Sequence, residues 1–197
     1  MIEKVRNIAK KHVLEAVNIR KYLHAHPELS FKEYETSKFI QSVLKKHGIP
    51  FTNGHVETGI IATIKGKNPN TKEILLRADL DALPISEDNN VEYKSKNKGV
   101  MHACGHDFHS ASLIGTALIL NELKEDFNGT IKFVFQPGEE KLPGGAKLMI
   151  EDGLLNNKPQ ACIAQHVYPD LEVGKVGFRP GLYMASADEI FFKFIQY

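Results

Sequence analysis

The chain has 197 residues, with 25 Lys and Arg against 24 Asp and Glu, 42% apolar and 9% aromatic residues, 15 Gly and 9 Pro. That length buries a core without staples, and the composition is not that of a disordered, collagen-like or coiled-coil chain, so one large domain, or a domain with a short appendage, is expected. A formal charge of +1 leaves no basic footprint for nucleic acid or an anionic membrane, which points instead to a small-molecule partner.

Val5, Ile8, Ala9, His12, Val13, Ala16, Ile19 and Leu23 recur at three- and four-residue steps, which predicts an amphipathic helix ending near His26-Pro27. Ser30 and Glu33 fit a capping box, so a second helix is expected to start at Ser30, run through Phe39, Ile40, Val43 and Leu44, and stop at Gly48. Apolar, β-rich runs at Gly59 to Gly66 and Glu73 to Leu80 read as strands. From about His109 to Lys124 the chain is apolar nearly all round and reads as a deeply buried helix. Its uncharged run, Phe108 to Asn121, is short of the roughly 20 residues that span a bilayer. A strand at TIKFVFQP, a helix at GGAKLMIED, a strand at QACIAQHV and a short β segment around EVGKVGF follow. The opening MIEKVRNIAKKH has no apolar h-region, and the two cysteines, Cys104 and Cys162, form no disulfide framework, so the cytoplasm is the expected compartment. The alternation of strands and helices predicts an α/β domain with a mixed, mostly parallel sheet, whose working groups collect just past the carboxyl ends of strands.

Polar clusters fall at such places: Asp79 and Asp81 after EILLRA, His102 to His109 before the buried helix, Glu139-Glu140 after a strand and a Pro-Gly turn, and His166 after ACIAQ. Imidazole, thiolate and carboxylate together are the ligand set of borderline divalent metals, and a carboxylate-rich set can hold two ions. Gly105, between Cys104 and His106, lets the backbone turn tightly enough for alternate side chains to face one ion. Of the neighbours Glu139 and Glu140, one carboxylate can bind metal while the other faces a water as base. Asp79 and Asp81 lie two residues apart at a strand end, where one can hydrogen-bond the free nitrogen of a ligand His. Each cluster also has a plainer reading: solvated histidines, a solvated acidic face, a strand-end turn, a satisfied His166. Cys104 as a nucleophile paired with His106 stays open as well, although no nucleophile elbow surrounds it. Asp107 and His109 are undecided, and His24, His26, His47 and His55 read as structural or surface residues.

The strings RKYLHAHPELSFKEYET, LLRADLDALPISE, GVMHACGHDFHSASLIGTALIL, FVFQPGEE and AQHVYPDLEVGKVGFRPGLYMAS resemble the amidohydrolase branch of the aminoacylase and carboxypeptidase-type metallopeptidase superfamily. That branch includes N-acyl-amino-acid amidohydrolases, hippurate hydrolases and indole-acetyl-amino-acid hydrolases. The resemblance implies a three-layer catalytic domain and an enzyme with two divalent ions, Mn2+ or Zn2+, that cleaves N-acyl amino acids. It implies Cys104, His106, Glu140 and His166 as metal ligands, Glu139 as general base and Asp81 as the residue behind a ligand. Asp79 stands where other branches carry a ligand His. It further implies a catalytic domain over residues 1–187, truncated before a lid or dimerisation domain whose first strand is 188–197. Members of this resemblance class are about twice as long and can form homodimers, so impaired activity is expected of this chain. A non-catalytic metal-binding or partner-binding remnant is the alternative.

Overall fold

The computed structural model describes residues 1–182. The chain divides into two compact units, Met1–Val167 and Tyr168–Tyr197. In the first unit, α1 (Ile2–Ala25) and α2 (Tyr34–Lys46) precede β1 (Phe51–His55), β2 (Gly59–Lys65) and β3 (Glu73–Asp79). Then come α3 (His106–Glu122), β4 (Thr130–Gln136), α4 (Gly145–Glu151) and β5 (Ala161–Ala164). None of these helices is long and apolar enough to cross a membrane.

The five strands form one mixed sheet in the order β1-β2-β4-β3-β5. β1 and β4 each pair antiparallel with β2, whereas β3 pairs parallel with β4 on one side and with β5 on the other. The chain therefore leaves β3 through α3 to reach β4, then crosses back through α4 to β5 on the opposite side of β3. That reversal opens a crevice beyond the carboxyl ends of β3, β4 and β5.

Alternation along β4 shows how the sheet is sandwiched. Phe133 and Phe135 join Ile60, Ala62, Ala78, Ile114, Ala117 and Leu118 on the face covered by α1, α2 and α3. Val134, pointing the other way, packs with Leu75 and Met149 of α4. Helices thus cover both faces, in three layers, as the α/β pattern predicts. β5 is an edge strand whose residues are all exposed, Ile163 included at 56%.

Local boundaries depart from the sequence reading in instructive ways. α2 starts at Tyr34 rather than Ser30, and its first-turn N–H groups are met by Glu28, whose carboxylate accepts from Glu35 N at 3.2 Å and Thr36 N at 2.8 Å. The expected capping box is absent because Ser30 and Glu33 bond to distant partners instead, Asp81 and Gly138. α3 begins at His106, three residues before the expected start, after Gly105 in a left-handed conformation at φ 86°. β1 was not foreseen. Residues 172–178, expected as a β segment, form a turn at Val173-Gly174 within otherwise irregular backbone, with Val173, Val176 and Phe178 exposed. The strand expected at 188–197 lies outside the described residues.

Candidate metal centre

Each element delivers its polar residue to the same crevice. β3 ends on Asp79 and places Asp81 just beyond it, both 1% exposed. The left-handed turn at Gly105 separates Cys104 from His106, which opens α3 and is 1% exposed. A Cβ at Gly105 would collide with the side chain of Val167, so the close approach of this turn to the exit of β5 requires glycine. β4 runs into Pro137-Gly138 and presents Glu139 and Glu140, whose side chains are 40% and 22% exposed. His166 follows β5.

The donor atoms converge. His106 Nε2 lies 3.7 Å from Glu140 Oε1, 3.9 Å from Glu139 Oε2 and 3.7 Å from Asp79 Oδ2. Cys104 Sγ lies 3.4 Å from His166 Nε2. The sets Cys104, His106, His166 and His106, Glu139, Glu140 each gather their ligand atoms within 4.8 Å of one another. Two ligand atoms each about 2.0–2.3 Å from a tetrahedral ion are themselves about 3.3–3.8 Å apart, so this spacing suits a shared cation.

The hydrogen bonds fix the lone pairs. His106 Nδ1–H donates to the Asp81 carbonyl at 2.8 Å, with Asp81 Oδ1 at 3.2 Å, which leaves Nε2 directed at the acids. His166 Nδ1–H donates to the Val167 carbonyl at 2.7 Å, which leaves its Nε2 facing Cys104. His106 Nε2 and Glu140 Oε1 are buried and have no hydrogen-bond partner. A buried lone pair and a buried carboxylate oxygen left unsatisfied side by side are costly unless a cation completes them. The residues present therefore fit a divalent metal.

Electrostatics agree. Burial pushes the Cys104 thiol up, and the neighbouring Glu140 carboxylate, with the charges of Glu139 and Asp79, adds to this, to about 12. Burial raises the Glu139 carboxyl, and the neighbouring Glu140 charge raises it further. For Asp79 burial works upward, but the bond from His109 and the charge of Arg77 outweigh it and bring the carboxyl to about 2. Burial likewise opposes protonation of His106, yet Asp81, Asp79 and Glu140 raise its affinity for a proton. Asp79, Glu139 and Glu140 thus surround the thiol and the His106 imidazole with carboxylates that favour positive charge between them.

Behind the donors stands a supporting network that sequence reading caught in part. His109 donates from Nδ1 to Asp79 Oδ1 at 2.7 Å and accepts from the Val167 N–H at 3.0 Å, tying the exit of β5 to β3. Arg77 Nη1 pairs with Asp79 Oδ2 at 2.9 Å. Ser30 Oγ donates to Asp81 Oδ2 at 2.7 Å. Arg77 and Ser30 were missed; Arg77 sits in the RADLD string but carries no signal of its own. Of the histidine cluster, His102 does not join the donors. It is buried away from them with both ring nitrogens unpartnered, and burial holds it neutral, with its pKa lowered to about 4. Asp107 turns to the opposite side of α3, where it binds His24 at 2.9 Å and Arg20 at 2.7 Å.

The sequence and fold have close counterparts. The model of peptidase family M20/M25/M40 matches residues 75–195. N-acyl-L-amino acid amidohydrolase of Geobacillus stearothermophilus is 40% identical over 193 residues, 98% of this chain and 52% of that protein. N-acetylcysteine deacetylase of Bacillus subtilis is 47% identical over 173 residues, 87% of this chain and 45% of that protein. The crystal structure of the Bacillus subtilis YXEP protein, described as a dinuclear metal binding peptidase, superposes with a TM-score of 0.79 at 46% identity. The match covers 84% of this chain and 46% of that one. The chain thus spans about half the length of these relatives.

Proposed function

The chain belongs to peptidase family M20/M25/M40, and on that premise we propose that it is the metal-holding part of an amidohydrolase acting on N-acyl amino acids. The products are a carboxylic acid and a free amino acid. The observation that carries this reading is the pair of orphaned buried atoms, His106 Nε2 and Glu140 Oε1, beside a thiol and a second imidazole. Cys104, His106, Glu140 and His166 are the ligands in this proposal. Two divalent ions bound there, Mn2+ or Zn2+, would supply Lewis-acid chemistry that acidifies a water and polarises an acyl carbonyl.

The rest is done by the chain. Glu139, the more exposed of the adjacent acids, takes the proton of the attacking water and hands it to the departing amine. Its raised affinity for protons suits a group that must hold one between those steps. Asp81 keeps the His106 ring in a single tautomer. The small-molecule substrate enters at the exposed side of Glu139.

A second reading has one observation in its favour, the 3.4 Å approach of Cys104 Sγ to His166 Nε2, which resembles a thiol paired with a base. Burial and the surrounding acids oppose it, since they stabilise the thiol rather than the nucleophilic thiolate.

The test counts metal in the purified protein by mass spectrometry and follows release of amino acid from N-acetyl and N-benzoyl substrates. Release that stops with chelator and returns with Mn2+ or Zn2+ is expected. Glu139→Gln should keep the metal and lose turnover. Turnover blocked by thiol alkylation but indifferent to chelator would establish the cysteine reading. Metal uptake with no turnover under any condition would leave a non-catalytic binding role.

A further inference from the structure

Glu33 takes no part in the chemistry proposed above and caps no helix, yet it is fully buried at 0% exposure. Its Oε1 accepts from the Phe31 N–H at 2.9 Å and from the Gly138 N–H at 2.8 Å, and its Oε2 accepts from the Thr58 hydroxyl at 2.8 Å. Gly138 is the residue immediately before Glu139. It sits at φ 55°, and the ring of Phe31, itself at φ 63°, occupies the space a Cβ on Gly138 would need. Two left-handed residues are thus locked face to face across one carboxylate. Such backbone persists only where its surroundings over-determine it.

The same loop reaches the other side of the site. Ser30 Oγ donates to Asp81 Oδ2, and the Ala82 N–H donates to the Glu28 carbonyl at 2.8 Å. Asp81 Oδ2 in turn accepts from the Glu140 N–H at 2.9 Å. The Gly138–Glu140 turn is therefore pinned at its start by Glu33 and at its end by Asp81.

We propose that Glu33 is a positioning residue that fixes the Pro137-Gly138 turn and so aims the carboxylates of Glu139 and Glu140. The claim rests on the metal-centre reading for its consequence, but not for its geometry. A purely structural Glu33, serving only to tie α2 to the β1–β2 turn through Thr58, would bind the same atoms with no special effect on the acids. The two roles separate on substitution. In Glu33→Gln the amide oxygen can still accept from both backbone N–H groups while the amide nitrogen donates to the Thr58 hydroxyl, so the turn survives. Glu33→Asp is a methylene too short to span the three donors. Thr58→Val removes the bond that anchors α2 and leaves the two that hold the turn.

Amide hydrogen exchange of the metal-free chain and Co2+ titration followed by absorbance read the two levels. Glu33→Asp is expected to speed exchange at Gly138 to Glu140 and to weaken Co2+ binding, each by about tenfold or more. Glu33→Gln and Thr58→Val should stay within about twofold of the parent in both, although Thr58→Val should lower the urea midpoint. The parent chain supplies a reading that needs no variant: its Gly138 amide should be protected as β4 amides are. Rapid exchange at Gly138 in the parent, an unaltered turn in folded Glu33→Asp, or equal loosening by Thr58→Val would each overturn the proposal. If the parent takes up no Co2+, the metal-centre reading fails and hydrogen exchange still decides the role of Glu33.

Discussion

Replacing Asp81 by Asn separates its two duties, because each carboxylate oxygen serves a different partner. Oδ2 accepts from Ser30 Oγ at 2.7 Å and Glu140 N at 2.9 Å, while Oδ1 faces His106 Nδ1 at 3.2 Å. An Asn with its carbonyl toward Ser30 and Glu140 keeps the first pair and turns an NH2 donor onto the His106 N–H. The turn bonds survive, so folding stability should fall by only about 1 kcal/mol, the worth of one ordinary hydrogen bond. The imidazole loses its carboxylate partner, however, and groups in that role commonly govern about 10- to 100-fold in metal affinity. Asp81→Ala strips away both acceptors. Leaving the Glu140 N–H and Ser30 hydroxyl unpaired costs about 1–3 kcal/mol each, so a loss of about 2–4 kcal/mol is expected once the water-accessible hydroxyl is discounted. Urea unfolding gives the stability and Co2+ or Zn2+ titration the affinity. Asp81→Asn binding metal as tightly as the parent, with stability unchanged, would refute the assignment of Asp81 to His106.

Two further outcomes follow from the fold. Gly105→Ala places a Cβ at φ 86° against Val167 and should cost about 2–5 kcal/mol from left-handed strain and overpacking, with metal uptake reduced, in the same two assays. His24 sits between Asp107 at 2.9 Å and Glu87 at 3.0 Å, beside Arg20 and the ring of Tyr93. The Asp107 bond raises its pKa, burial works against this, and Glu87 adds to the rise. A raised folded pKa contributes stability that is full below the unfolded value of about 6.5 and is lost as pH climbs through the folded value. The parent should therefore lose stability as pH rises from about 6.5 through the raised folded value of His24, and His24→Asn should flatten that decline. A parent and variant with parallel stability profiles over that range would exclude this linkage.

Much of the candidate site was legible because its chemistry is dense in sequence. His102 to His109 packs imidazole, thiol and carboxylate into one short stretch, and strand ends mark where Glu139, Glu140 and His166 emerge. The fold gathers the proposed ligands, whereas Asp107, one step along α3 from His106, turns to Arg20 and His24 of α1, and His102, which precedes the helix, stands outside the donor sets. The failures came where a local signature competed with a distant partner. Ser30 and Glu33 spell a capping box, but their bonds run to residues 51 and 105 positions away. Tertiary pairing outweighs a cap worth about 1 kcal/mol. FTNGH lacks the alternation of a strand and becomes β1 only because β2 offers it an edge. The run around EVGKVGF, by contrast, alternates and yet forms no strand over residues 172–178.

The central claim is that Cys104, His106, Glu140 and His166 hold divalent cations next to Glu139. Anomalous diffraction from crystals of the protein grown with Zn2+ or Mn2+ tests it directly. Two peaks are expected in the crevice beyond β3, β4 and β5, each about 2.0–2.3 Å from donor atoms of these residues. A metal-saturated crystal with no peak there, or with peaks only on other side chains, would contradict the account.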